Sequence, residues 1–318
     1  MVYKLPIFWL KPKNDFVFKF VFGRGTKQSN KLLLALLNDV FNVPKGLSLG
    51  IVEITNPLTF QTNVTDQYAI LDIRAKVAGF AHVNLEMQRV NQRNIDKRTL
   101  YYGAKLFEEQ LDKGNEYRDL KKVVTINFLD FSYFTTDMYH SCYRLMEKRT
   151  FEPYPDLLQL HFIEMPKFVR QDKENLIHPN DRMAKWIRFL TNEDDARWEE
   201  MANQDPIIEN AVDMLRTVSM DREARMLAEA REKALKDINS IRGEAMREGK
   251  EEGIEEGIKK GIEKGRKEGI REGIEKGIKE GKREIAKKML MEGADINFIV
   301  KMTELTESEV LEMKSELN

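Results

Sequence analysis

Residues 70–88 read ILDIRAKVAGFAHVNLEMQ, and their alternation describes two neighbouring β-strands whose faces differ in character. Successive strand residues point to opposite faces. On the first strand, expected over 68–77, Leu71, Ile73, Ala75 and Val77 share an apolar face, while Asp72 lies with Ile70 and Arg74. On the second, expected over 81–88, Val83, Leu85 and Met87 oppose a face carrying His82, Asn84, Glu86 and Gln88. Acids are depleted from strands, and a charge carried toward a core is costly unless something pairs with it. If Val77 faces Ala81 across the turn at Gly79, Asp72 faces Glu86, with Cβ atoms about 4.5–5.5 Å apart. A turn one residue shorter would put Leu85 there instead. Two carboxylates that close repel unless a cation lies between them, and hard oxygen ligands suit Mg²⁺ or Mn²⁺.

The surrounding sequence supplies an α/β frame. SNKLLLALLNDVFNV places Leu33, Leu36, Leu37 and Val40 at helical spacing, so a helix is expected over about 27–41. LSLGIVEITNP reads as a strand ended by Asn56-Pro57. DKRTLYYGAKLFEEQLDKG is an amphipathic helix stopped at Gly114, and KKVVTINFLDF is a strand buried on both faces. LQLHFIEM gives a further strand near residue 160, and 178–240 reads as helical, with Trp186, Ile187, Leu190, Val212, Leu215 and Val218 as packing residues.

Several short stretches then fall in one order. KNDFVFKFVFG at 13–23, LDI at 71–73, NLEMQ at 84–88, KRTLYYGAKL at 97–106 followed by QLDKG, and LHFIEMPKF at 160–168 resemble the PD-(D/E)XK nucleases, and within them the recombination-promoting nuclease (Rpn) and transposase family. The resemblance covers roughly the first 200 residues. It implies a restriction-endonuclease-like α/β core, a mixed sheet flanked by helices, and metal-dependent cleavage of DNA leaving 5′-phosphate ends. It implies Asp72 and Glu86 as the catalytic metal ligands, with the Met87 carbonyl as a further ligand. The implied cation is Mg²⁺, with Mn²⁺ or Ca²⁺ as alternatives. Gln88 stands where many relatives carry lysine; an amide can orient water but holds no positive charge. Asp15 matches a family acid and either completes the catalytic set or fixes the helix that follows. Arg98 and Tyr101 match the motif after the catalytic strand, in either a packing or a DNA-contacting role.

Charge adds a weaker signal. The net charge of −1 gives no global pull toward nucleic acid, yet residues 4–31 carry seven Lys or Arg against the single acid Asp15, and 89–105 carry five against Asp96. Lys13, Lys19, Arg89 and Arg98 are therefore candidate DNA contacts together with Tyr101, because phosphate neutralisation dominates non-specific affinity. The four histidines lack zinc-ligand spacing, GRGTKQSNK lacks the residue order of a phosphate loop, and no nucleophile elbow occurs. A single cysteine, Cys142, forms no intramolecular disulfide, and no apolar run approaches a membrane span, so a cytoplasmic protein is expected.

From Gly249 to Gly281 glycine returns at every fourth position, nine in all, and isoleucine follows six of them. Glycine costs about 1 kcal/mol per residue against alanine in a helix, so nine cost about 9 kcal/mol. Glu–Lys pairs four apart return only about 0.2–0.5 kcal/mol each. Either the segment is a charged tether or its helix is held by association, and closely approaching Gly-x-x-x-Gly backbones favour the second. The stripe drifts about 40° per repeat on a 3.6-residue helix, which limits straight partners to a couple of turns. The expected organisation is a nuclease-like core at 1–175, a helical extension at 176–242, a helical tail at 243–283 that drives homo-oligomerisation, and a small helical segment at 284–318. The partner expected of the core is DNA, with no membrane. The rival reading is a decayed nuclease fold serving as an oligomeric DNA- or protein-binding module.

Overall fold

The computed structural model describes residues 8–58, 72–111 and 116–317. Asn14 accepts from the backbone N–H groups of Phe16 and Val17 and so opens α1 (Asp15–Phe22), a helix whose mostly aromatic and β-branched residues hide it from periodicity. Thr26 and Ser29 close a reciprocal cap on α2 (Lys27–Val40), as its spacing predicts. There follow β1 (Val52–Ile54), β2 (Ile73–Val77), β3 (Ala81–Gln88), α3 (Ile95–Glu108), β4 (Lys122–Leu129), β5 (His140–Arg144) and β6 (Leu158–Glu164). The expected strand start at 68–71 and the helix stop at Gly114 lie outside the described residues. The edge strand β5 has no clear period in the sequence, because its residues are half-buried or exposed.

These strands build a six-stranded sheet in the order β1-β2-β3-β4-β6-β5. β3, β4 and β6 run parallel, and the pairs β1–β2, β2–β3 and β5–β6 are antiparallel, so the sheet is mixed. The βαβ crossover through α3 lays that helix on one face. There Gly103 allows the close approach: a Cβ on it would sit 3.3 Å from Thr125 Cγ2 and 3.4 Å from Leu158 Cδ1.

The other face carries the main core. Val83, Leu85 and Met87 of β3 and Val124, Ile126 and Phe128 of β4 pack with α1 and α2. The same cluster takes in α5 (Ala184–Thr191) and α7 (Pro206–Met220) through Trp186, Phe189, Val212 and Leu215. The helical region expected as an extension beyond residue 175 thus shares one core with the sheet. α4 (Met165–Lys173) and α6 (Asp195–Gln204) complete it. The chain divides into two compact units, 1–240 and 241–318.

α8 (Arg222–Met291) is a single 70-residue helix that includes the glycine repeat. Nothing lies within 4 Å of a Cβ built on any of the nine repeat glycines, and the six isoleucines are 53–67% exposed. The stripe is bare on this chain. Glu256–Lys260 at 2.6 Å and Glu263–Lys267 at 2.7 Å are among its four-apart ion pairs. In the second unit, α9 (Ile296–Thr303) and α10 (Glu307–Leu317) enclose a small core of Ala286, Ile299, Leu305, Val310 and Met313. Among the described residues no helix is long and apolar enough to cross a membrane.

A buried histidine on β6 is expected to make the first unit acid-sensitive. His161 is 4% exposed, its Nδ1 lies 3.0 Å from His140 Nε2, and Phe41 meets its ring edge-on. Burial first, then the neighbouring His140 and Lys122, push its pKa down to about 3. The unfolded chain takes up the proton near pH 6.5 while the folded chain does not, so stability is full above 6.5 and is lost as pH falls. The loss attributable to His161 is about 2 kcal/mol by pH 5. Urea midpoints at pH 7 and 5 are expected to differ less in His161→Gln than in the wild type; equal differences would remove His161 as the cause.

Candidate active site

The turn at Gly79 (φ +70°) sets the hairpin register, with Val77 paired to Ala81 and Ile73 to Leu85. One step beyond that last pair, the same register puts Asp72 opposite Glu86. Both are buried, at 9% and 5% exposure, and the Asp72 charge acts on Glu86. Burial is the largest cause that raises the Glu86 pKa; Arg98 and a hydrogen bond from Gln88 oppose it, and Asp72 adds to it. A second negative charge at low dielectric makes the ionised pair costly, which a cation would relieve.

Neighbouring elements hold each carboxylate. Arg74 Nε lies 3.0 Å from Asp72 Oδ2, and Asn56 Nδ2 donates to Asp72 Oδ1 at 3.2 Å. Asn56 also accepts from the Arg74 backbone N–H at 2.7 Å, so its side chain continues the β1–β2 ladder past the end of β1. Glu86 Oε1 accepts from Arg98 Nη2 at 2.6 Å and from the Gln88 amide. Arg98 reaches it because α3 covers this face, where Thr99 Oγ1 also donates to Asn127 Oδ1 at 3.2 Å. Lys19, 7% exposed on α1, is acted on by Asp72 and Arg74; burial lowers its pKa and Asp72 opposes that.

Other candidates lie elsewhere. Asp15 stands in the first turn of α1 under the charges of Arg231, Arg89 and Glu232, with neither Asp72 nor Glu86 acting on it; burial raises its pKa. Arg89 is ion-paired to Glu232 of α8, and Asn14 Nδ2 donates to the same carboxylate at 3.0 Å. Lys13 sits 3.3 Å from Asp130 and 3.9 Å from Glu193. Tyr101 is 64% exposed beside Tyr102. Of the cations named as candidate DNA contacts, Lys13, Arg89 and Arg98 are engaged in ion pairs, and Lys19 is buried among the apolar residues of α1. A cleft of about 770 Å³ opens past the ends of β4 and β6, lined by Lys13, Asp130, Met165, Arg188, Asn192 and Arg197 among others. Neither Asp72 nor Glu86 lines it, although β3 reaches it through the Asp130 N–H, which donates to the Gln88 carbonyl at 2.8 Å.

Asn56, Arg74 and Lys19 are the site residues that sequence reasoning undervalued. Asn56 carried a signal only as a strand terminator; Arg74 was visible as the next residue on the Asp72 face. Among the described residues no group of three or more His, Cys, Asp or Glu is arranged to hold a metal ion. Asp72 and Glu86 match in number the one or two carboxylates of an open site for a hard cation, where water and phosphate oxygens fill the remaining positions.

No curated protein and no solved structure matches the chain. The family model described as Rpn/YhgA-like nuclease family, C-terminal HTH domain matches residues 279–313. The model described as PD-(D/E)XK nuclease family transposase matches residues 12–245, most of the chain and all of the candidate site, and the chain belongs to that family.

Proposed function

We propose that the protein is a metal-dependent DNA endonuclease that hydrolyses phosphodiester bonds in recombination or transposition. The observation that carries this reading is the β2–β3 register, which one step past the Ile73–Leu85 pair sets Asp72 opposite Glu86, where the Asp72 charge acts on the buried Glu86. Asp72, Glu86 and the Met87 carbonyl would hold the cation, with Mg²⁺ favoured by an all-oxygen donor set. When bound, such a cation lowers the pKa of a coordinated water and offsets charge developing on the phosphate. Gln88 donates to one Glu86 oxygen through its amide, and that amide would orient the attacking water. Arg98 holds Glu86 in place from α3. Exposed Tyr101, and Lys13 beside the cleft, remain candidate DNA contacts. The lone cysteine supports a reducing, cytoplasmic setting.

One observation favours the rival reading of a non-catalytic binding module: both carboxylates already carry an arginine. Supercoiled plasmid separates the two. Nicking or linearisation is expected with Mg²⁺ or Mn²⁺, with none in EDTA and recovery when the ion is restored. Absence of cleavage with every divalent ion, alongside retained DNA binding, would overturn the endonuclease and leave the module.

A further inference from the structure

The repeat in α8 exposes isoleucine, a residue most often found buried. Ile254, Ile258, Ile262, Ile270, Ile274 and Ile278 are each more than half exposed. They are spaced symmetrically along the helix: three stand on either side of Arg266, and Lys250 and Lys282 close the row at equal distances from it. The position after each of these lies about 100° further round the helix. It carries charge throughout, and about Lys267 the charges are complementary. Glu251 mirrors Arg283, Glu255 mirrors Lys279, Lys259 mirrors Glu275 and Glu263 mirrors Arg271, so all four pairs join opposite signs. The two centres differ by one residue, about 1.5 Å of helix. A parallel, in-register pair would instead set every one of these charges beside its own copy, and like charges side by side are repulsive.

We propose that this face of α8 docks a second copy of the chain, antiparallel, about a two-fold axis at Arg266 and Lys267. Such an interface uses the same patch on both copies. Ile262 of one copy faces Ile270 of the other, Ile258 faces Ile274 and Ile254 faces Ile278, and each of the four charge pairs forms twice. Arg266, on the axis, lies within a turn of Glu263 of the other copy. The glycines beside the isoleucine row have nothing within 4 Å of a built Cβ, which leaves room for two backbones to approach closely. A four-residue row drifts about 40° per repeat on a 3.6-residue helix, so the two helices wrap right-handed to keep it at the interface. The inference is independent of the hydrolytic reading of Asp72 and Glu86.

The test uses the full chain carrying Cys142→Ser, which removes its single, exposed cysteine. Sedimentation equilibrium at micromolar concentration is expected to show a dimer, and Ile262→Glu with Ile270→Glu a monomer. Orientation is read by disulfide trapping. Ile262→Cys and Ile270→Cys, made in separate chains, should each stay uncrosslinked alone and form a disulfide dimer when mixed and oxidised. The eight residues between these positions span about 12 Å of helix, beyond the roughly 7 Å that a disulfide allows between Cα atoms. A parallel pair would crosslink each variant with itself. Charge exchange tests the register. Lys259→Glu and Glu275→Lys should each raise the dissociation constant about tenfold, and together return it to within about threefold of the parent. The double variant keeps the like-charge contacts that each change creates four residues away in its own helix, so recovery reports pairing between copies. A monomeric parent chain, self-crosslinking of either cysteine variant, or a double charge variant no tighter than the single ones would overturn the proposal.

Discussion

Asp72→Ala and Glu86→Gln are each expected to lower the cleavage rate by about 10³-fold or more, close to 4 kcal/mol of transition-state stabilisation, while the protein stays folded. Either change removes one of two carboxylates on adjoining strands, and a single carboxylate holds Mg²⁺ poorly when the remaining ligands are water. The fold is expected to survive for a specific reason. Burial raises the Glu86 pKa, so ionised Glu86 is a cost to the folded state above that pKa. Gln removes the cost but strands the Arg98 guanidinium, which is partly exposed and also reaches Gln92 Oε1 at 3.3 Å. The two effects oppose each other, so melting temperatures should lie close together. After Asp72→Ala, Arg74 keeps Glu109 at 3.3 Å. Rates under single turnover, paired with melting curves, check both variants. Cleavage by either at more than a tenth of the wild-type rate would remove these carboxylates from the catalytic centre.

The hairpin was legible because β-sheet periodicity leaves little freedom. Once Val77 and Ala81 flank a turn at Gly79, the facing pairs follow by counting, and a one-residue slip would bury the polar face. Partners that come from distant chain are a different matter. Arg98 meets Glu86 because α3 returns over the sheet, and Glu232 meets Arg89 across 143 residues. Nothing local to Arg89 marks it as internally paired, so a run of basic residues read as a solvated, phosphate-facing surface. Lys19 misled in the same way: its charge suggested solvent, while the Phe and Val residues around it in α1 decided its burial. α1 itself was hidden because an unbroken apolar helix has no amphipathic period to detect. For the tail, the sequence supplied the stripe, its cost and the expectation of a helix, and α8 runs through the whole repeat.

Lys167→Met is expected to destabilise the first unit by about 3–5 kcal/mol, the usual cost of removing one partner from a buried ion pair. Glu164 ends β6 with no exposure, and Lys167 follows on α4 with its side chain 7% exposed, their charges 2.7 Å apart. Both ends of the pair also hold the loop that follows β4. Glu164 Oε1 accepts from the backbone N–H groups of Tyr133 at 2.5 Å and Phe134 at 3.2 Å. Lys167 Nζ donates to the carbonyls of Phe134 at 2.8 Å and Thr136 at 2.6 Å. Methionine leaves the carboxylate uncompensated and those two carbonyls without their donor. Adding Glu164→Gln should cost less than the sum of the two single changes, because the stranded charge is then absent. Denaturant midpoints of the three variants test this, and a Lys167→Met midpoint close to wild type would refute it. The loop bears on the site as well: Phe131, Tyr133 and Phe134 pack against the Ile95 cluster at the start of α3, and Tyr133 Oη donates to Asp96 at 2.9 Å. That first turn carries Arg98 to Glu86. Loosening the loop should therefore slow cleavage even where the protein remains folded, through a residue that touches neither carboxylate.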